Sequence, residues 1–164
     1  ITLIMVSQIR DNIGVTFGKK YSRSCKHSLN FFCSQVIWLA EKEKIRTTRN
    51  SIKRVTGISV IFNIEKNKVG LPHRTGNFYV NFGMGFDDLK TSLNWLKEVK
   101  RYDLVPAIKE FNKSASTFKI AEFTNMMFEL DDDKFFELLD GINTVVRTEW
   151  DRIETTFLPK IRRR

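Results

Sequence analysis

Hydrophobic and polar positions change rhythm twice along this chain. The opening run, ITLIMVS, is almost unbroken apolar sequence, which predicts a strand over residues 1–7 buried on both faces, as in a parallel sheet. Residues 8–27 lose all periodicity and predict a loop of about 20 residues, a length that inside a domain usually carries function. Ser28 is placed to cap a short helix running to about Gln35. VIWLAEKE then reads as a strand, IRTTRNS as a polar turn, and IKRVTGISVIFNIEK as a half-buried strand in which Ile58, Val60, Phe62 and Ile64 alternate with mostly polar neighbours. KNKVGLPHRTG is a connection. NFYVNFG alternates again, and Gly83 and Gly85 end it.

After Gly85 the period lengthens. Phe86, Leu89, Leu93, Leu96 and Val99 recur at helical spacing, with Asp87 and Asp88 where carboxylates suit a helix start. A second helix is predicted over 103–113, with Pro106 in its first turn. A long amphipathic helix is predicted over 132–157, striped by Phe135, Leu139, Ile142, Val146, Ile153 and Phe157. The expected class is α/β: a mixed sheet, parallel at its first strand and antiparallel afterwards, followed by an α-helical tail.

Composition narrows the partners. The chain has 164 residues, 41% hydrophobic and 29% charged, enough for one packed domain with an appendage. No apolar run approaches the ~20 residues that span a bilayer. Two cysteines, Cys25 and Cys33, suit a reducing cytoplasm. Together with His27 and His73 their spacing fits no zinc knuckle, so no metal site is expected. The chain opens at Ile1 inside a predicted core strand, which reads as a piece of a longer protein. Residues 1–98 hold 16 Lys/Arg against 7 Asp/Glu, whereas residues 99–164 hold 12 of each, so the whole excess of +9 lies in the first part. That field favours a polyanion, nucleic acid first, over a merely solvated basic surface. The charge peaks in the loop, where Arg10, Lys19, Lys20, Arg23 and Lys26 oppose only Asp11 and surround Phe17 and Tyr21.

Three segments carry a resemblance. SQIRDNIGVTFG resembles the stretch of RecA-type recombinases where a core strand ends and a DNA-binding loop begins, a pattern close to N-Q-[IL]-R-x-x-I-G-x-x-F-G. Gln8, Ile9, Arg10, Ile13, Gly14, Phe17 and Gly18 match it in order, and Ser7 replaces Asn. EKNKVGLP is similar to the family's K-N-K-x-x-x-P segment at Lys66, Asn67, Lys68 and Pro72. FYVNFGMGF is similar to the end of its last core strand. Cys25-Lys26 stand where the family usually has a Gly-Gly pair, which stiffens the loop's end and adds charge. The divergence suggests a phage or mobile-element version. The resemblance covers roughly residues 1–98 and implies the C-terminal half of a RecA-like P-loop ATPase core, with the DNA-binding loop at 8–27; residues 99–164 form a helical region outside it.

The resemblance also implies roles. Gln8 becomes a sensor of the terminal phosphate of ATP. Lys66 and Lys68, pointing one way on an extended chain, become contacts to a neighbouring subunit's phosphate in a filament. Arg10, Gly14, Phe17, Gly18, Lys19, Lys20, Arg23, Lys26 and His27 become the DNA-binding set, cations on phosphates and the aromatic ring against a base. The implied partners are single-stranded and double-stranded DNA and further copies of the protein, and the implied cofactors of the complete protein are ATP and magnesium. The chain contains no G-x-x-x-x-G-K-[ST], so it is not expected to hydrolyse ATP alone. A ring-forming helicase of related fold and a short non-enzymatic DNA-binding protein are the alternatives.

Overall fold

A computed structural model describes residues 2–11, 13–14, 16–18, 21–23, 26–112 and 118–158; the side chains of residues 23, 26–28 and 112 fall outside that description. The chain divides into two units, residues 1–38 with 63–75 and residues 39–62 with 76–164.

In the first unit, β1 (Ile9–Asp11) pairs antiparallel with β2 (Tyr21–Arg23), in register Ile9 to Arg23, Arg10 to Ser22 and Asp11 to Tyr21. The predicted loop is therefore a ribbon closed at its base. Helix α1 (Lys26–Phe32) follows. It starts and stops earlier than Ser28 suggested. The apolar opening run is corrected more sharply. Residues 2–8 form no strand, and Leu3, Ile4, Met5 and Val6 are exposed. An apolar run becomes a buried strand only where neighbours pair its N–H and C=O groups, and no strand among the described residues does so.

The main sheet has the order β3 (Gln35–Arg49), β4 (Ile52–Asn67), β5 (Thr75–Asn81), β6 (Gly85–Phe86). Strand β4 matches its predicted strand to within a residue, whereas the first strand is far longer than the sequence pattern suggested, because β3 continues through the supposed polar turn. Thr47 and Thr56 share a hydroxyl hydrogen bond of 2.8 Å there, and β-branched residues suit a pleated surface. The turn shrinks to Asn50 and Ser51, both at positive φ (49° and 62°), the twist-matched geometry of a two-residue hairpin. Between β4 and β5 the bonds Ile64 N to Arg74 O and Phe82 N to Thr56 O step in opposite directions along the two strands, so this pair is antiparallel. β5 and β6 are antiparallel too. The expected parallel component is thus absent from the described strands. Along β4, Phe62 and Ile64 are half-buried and alternate with exposed Ile61 and Asn63 as predicted, but at the strand's centre the alternation fails, since Ser59 is fully buried beside buried Val60 while Ile58 is only half-buried.

The second unit holds the hydrophobic core. Helix α2 (Asp88–Glu98) is capped by Asp87, whose carboxylate accepts from Lys90 N at 2.9 Å. It buries Leu89, Leu93 and Leu96. A single 3-10 turn (Tyr102–Leu104) leads into α3 (Pro106–Asn112), with Pro106 as its first residue. Helix α4 (Ile120–Phe128), which the sequence pattern did not announce, contributes Phe123 and Met127, both fully buried. Helix α5 (Asp132–Thr156) matches its prediction and is capped by Asp131 through Lys134 N at 3.0 Å. Its central residue in the core is Ile142. Helix α2 packs against both α4 and α5. Glu149 of α5 is also buried, paired with Arg101 at 3.1 Å and Arg152 at 2.7 Å.

Candidate nucleic-acid interface

The ribbon is built from the residues that broke the hydrophobic rhythm. β1 and β2 are only three residues each, long enough to fix a base but too short to bury anything. Gly14 and Gly18 lie at φ of +85° and +102°, a left-handed region that costs other residues roughly 1–2 kcal/mol. They turn the chain where a side chain would resist. Among the described residues nothing lies within 4 Å of where a Cβ would stand on either, so the glycines serve backbone shape rather than close packing.

Between them Phe17 is 96% exposed, and Ile13 is equally free of cover. A phenyl ring held in water over so small a scaffold buries no area for stability. Arg10 is exposed at the ribbon base, facing Ser22 across the strand pair. Tyr21 is exposed opposite Asp11. The backbone places Arg23 on β2, and Lys26 and His27 in the first turn of α1; Lys19 and Lys20 lie outside the described residues. The arrangement presents a cation and an aromatic face from one ribbon, which can take phosphate and base respectively.

Gln8 is exposed just before β1, and its backbone carbonyl accepts from the Ser7 hydroxyl at 3.5 Å. Lys66 and Lys68 are brought together, at the C-terminal end of α1. Lys66 Nζ donates to the carbonyl of Asn30, and also to that of Phe31 at 3.4 Å; Lys68 Nζ donates to Phe31 O at 3.4 Å as well. Those carbonyls belong to the helix's last turn, whose partial negative charge attracts cations. Asn67 between them shapes the turn, accepting from Gln35 Nε2 at 3.1 Å and from Val69 N at 3.2 Å and donating to Leu71 O at 3.3 Å. Among the described residues no hydrogen bond joins Gln8 to the two lysines. The lysines' helix-capping contacts were not legible in the sequence, since the partners sit more than 30 residues away with no local signal.

The RecA N-terminal domain family matches residues 1–87, the ribbon, α1 and the sheet. Curated relatives named Protein RecA share this region. That of Bacteroides thetaiotaomicron is 31% identical over 84 residues, covering 51% of this chain and 24% of the relative. That of Porphyromonas gingivalis is 29% identical over 103 residues, covering 59% of this chain and 29% of the relative. That of Thermotoga neapolitana is 28% identical over 85 residues, covering 52% and 23%. The chain therefore spans about a quarter of the length of the curated relatives it matches, and helices α2 to α5 lie beyond the family match.

Proposed function

The chain belongs to the RecA N-terminal domain family, and on that premise we propose that it is part of a DNA recombinase that binds single-stranded DNA through the ribbon at residues 8–27. The observation that carries the reading is the exposed Phe17 between two positive-φ glycines, on the same ribbon as the exposed Arg10. Such a ribbon stabilises nothing by burial, yet it offers a stacking ring and phosphate cations in one short segment. Lys19, Lys20, Arg23, Lys26 and His27 extend the same basic run in sequence. In the complete protein this binding would serve homologous pairing with double-stranded DNA in a cytoplasmic filament of many copies. We assign residues 1–98 to that recombinase core and residues 99–164 to an appended helical region.

ATP and magnesium are implied for the complete protein, but the residues of this chain do not form a cradle for them. The sequence lacks a phosphate loop, the Lys66 and Lys68 ammonium groups are engaged by α1 carbonyls, and among the described residues no cluster of His, Cys, Asp or Glu is arranged to hold a metal. Gln8, Lys66 and Lys68 are accordingly proposed as accessory contacts to a nucleotide held mainly by other residues, and no reaction step is derived from them. No helix among the described residues is long and apolar enough to cross a membrane.

The test is single-strand binding by the 164-residue chain as a function of salt. Log affinity should fall against log salt with a slope of about −0.7 per phosphate neutralised. Replacing Lys19, Lys20 and Arg23 by Ala should flatten that slope for any base sequence. Phe17→Ala should instead weaken binding by about 1–3 kcal/mol with the slope unchanged. If neither change alters binding, the ribbon is not the DNA site.

A further inference from the structure

Two surfaces of the second unit are left open, and their chemistry is opposite. The first is the free end of the β3–β4 hairpin. From Lys44 to Thr56 the chain carries five cations, Lys44, Arg46, Arg49, Lys53 and Arg54, and no carboxylate. All five are exposed. Lys44 reaches Glu41 at 4.0 Å, and the other four meet no carboxylate among the described residues.

The second is the outer face of α5 at its junction with α4. Phe136 is 60% exposed and Phe128 59%. Phe135 joins them: it stacks on Phe128 with ring centres 5.8 Å apart and meets Phe136 edge-on at 5.4 Å. Asp132, Asp133 and Asp140 stand three or four residues from Phe136, which makes them its neighbours on the helix surface. Glu137 adjoins them, and all four carboxylates are exposed. Glu137 lies four residues after Asp133 and three before Asp140, spacings at which like charges oppose a helix. The helix dipole favours Asp132 and Asp133 in the first turn, but it has faded at Glu137 and Asp140. The one cation between Glu129 and Asp140 is Lys134, and Asp131 holds it at 2.9 Å. The face therefore lacks cations that the described residues do not supply. A guanidinium suits it best, because it lies flat on an aromatic ring and binds a carboxylate in its own plane.

We propose that this acidic aromatic face of one copy docks the hairpin end of a second copy, with Arg46, Arg49 and Arg54 against Phe136 and its ring of carboxylates. The charges are complementary: residues 129–140 hold six carboxylates and one cation, and residues 44–56 hold five cations and no carboxylate. Both surfaces belong to one unit and both are exposed, so one copy can engage two neighbours at once. The contact joins two different patches, head to tail, and such contacts extend an assembly rather than closing a pair. It involves no residue of the ribbon.

The experiment is sedimentation velocity of the 164-residue chain without nucleic acid. At low salt the chain should form species larger than a monomer, and added salt should dissociate them. Two variants separate the patches: Arg49→Glu with Arg54→Glu removes the hairpin's charge, and Asp133→Lys with Glu137→Lys removes that of the face. Each should be monomeric alone, with folding checked by circular dichroism. Mixed, they should form a 1:1 complex and nothing larger, since only one hairpin and one face remain intact. Phe136→Ala added to the hairpin variant should weaken that complex roughly tenfold. Phe17→Ala should associate as the parent chain does, so loss of strand binding with association intact would overturn only the proposed function. A parent chain that stays monomeric at low salt, a variant that still associates alone, or a mixture that forms no complex would overturn the contact. Association that appears only on adding single-stranded DNA would overturn it too, and would make the hairpin a nucleic-acid arm instead.

Discussion

The ribbon of the first unit and the helical core of the second solve opposite problems with the same residue types. Phe17 and Phe123 are both phenylalanines; one is 96% exposed between glycines and the other wholly buried between Phe111 and Phe118. Arg10 stands in water on a three-residue strand, whereas Arg101 is half-buried and closes an ion pair on a buried carboxylate. Around the ribbon the charge is one-sided, and across residues 99–164 it balances. A large ring contributes to stability only where other side chains cover it. Where they do not, it is available to something outside the chain. The contrast therefore separates what holds this protein together from what it presents.

The largest expected effect lies in the core. Phe123→Ala removes a ring in edge contact with Phe111 and Phe118 and should cost about 3–5 kcal/mol. Phe17→Ala should shift stability by no more than ~0.5 kcal/mol. Urea unfolding of the two variants measures both. Comparable losses would mean that the ribbon is packed, and the distinction between the two regions would fail.

A smaller effect is expected at Glu149. Hydrogen bonds from Arg152, and then the charge of Arg101, hold its carboxyl below the usual 4.5 despite burial. A group with a lowered folded value contributes stability above its unfolded value and loses it as pH falls through the folded one. Glu149→Gln should therefore lower the unfolding midpoint near neutrality, and the gap from the parent chain should close in acid. A gap that stays constant with pH would show that packing, rather than charge, is what the substitution removed.

Helices α2 and α5 were legible because each carries its own stripe and its own capping aspartate, Asp87 and Asp131. Helix α4 was not, because it is only nine residues long and begins after Lys119, which offers no capping side chain. The hairpin's length was misread since Arg46, Thr47, Thr48 and Arg49 look like a turn by polarity, while their cross-strand partners lie beyond Asn50 and Ser51. The opening apolar run misled in the other direction: ITLIMV has the composition of a buried strand, but burial depends on neighbours that composition does not specify. For the candidate interface, the glycines and the basic run could be read directly, and the exposure of Phe17 could be inferred from them.

The smallest effect sharpens the comparison where the first unit does hold itself together. Helix α1 has seven residues and no basic residue in its own last turn, and a helix that short is marginal alone. Lys66 and Lys68 supply the missing cations from β4 and the turn after it, reaching the carbonyls of Asn30 and Phe31. A cation at a helix C-terminus contributes about 0.3–1 kcal/mol. Lys66→Met and Lys68→Met should each accelerate hydrogen exchange at α1 amides by a correspondingly small factor, leaving the exchange of the α5 amides untouched. Both losses should shrink with added salt at the more exposed Lys68 before they do at Lys66, because screening acts first on the charge in water. Unchanged exchange in α1 would mean that the two ammonium groups do not stabilise the helix and are free for an anion, which would favour the phosphate role that their sequence context implies.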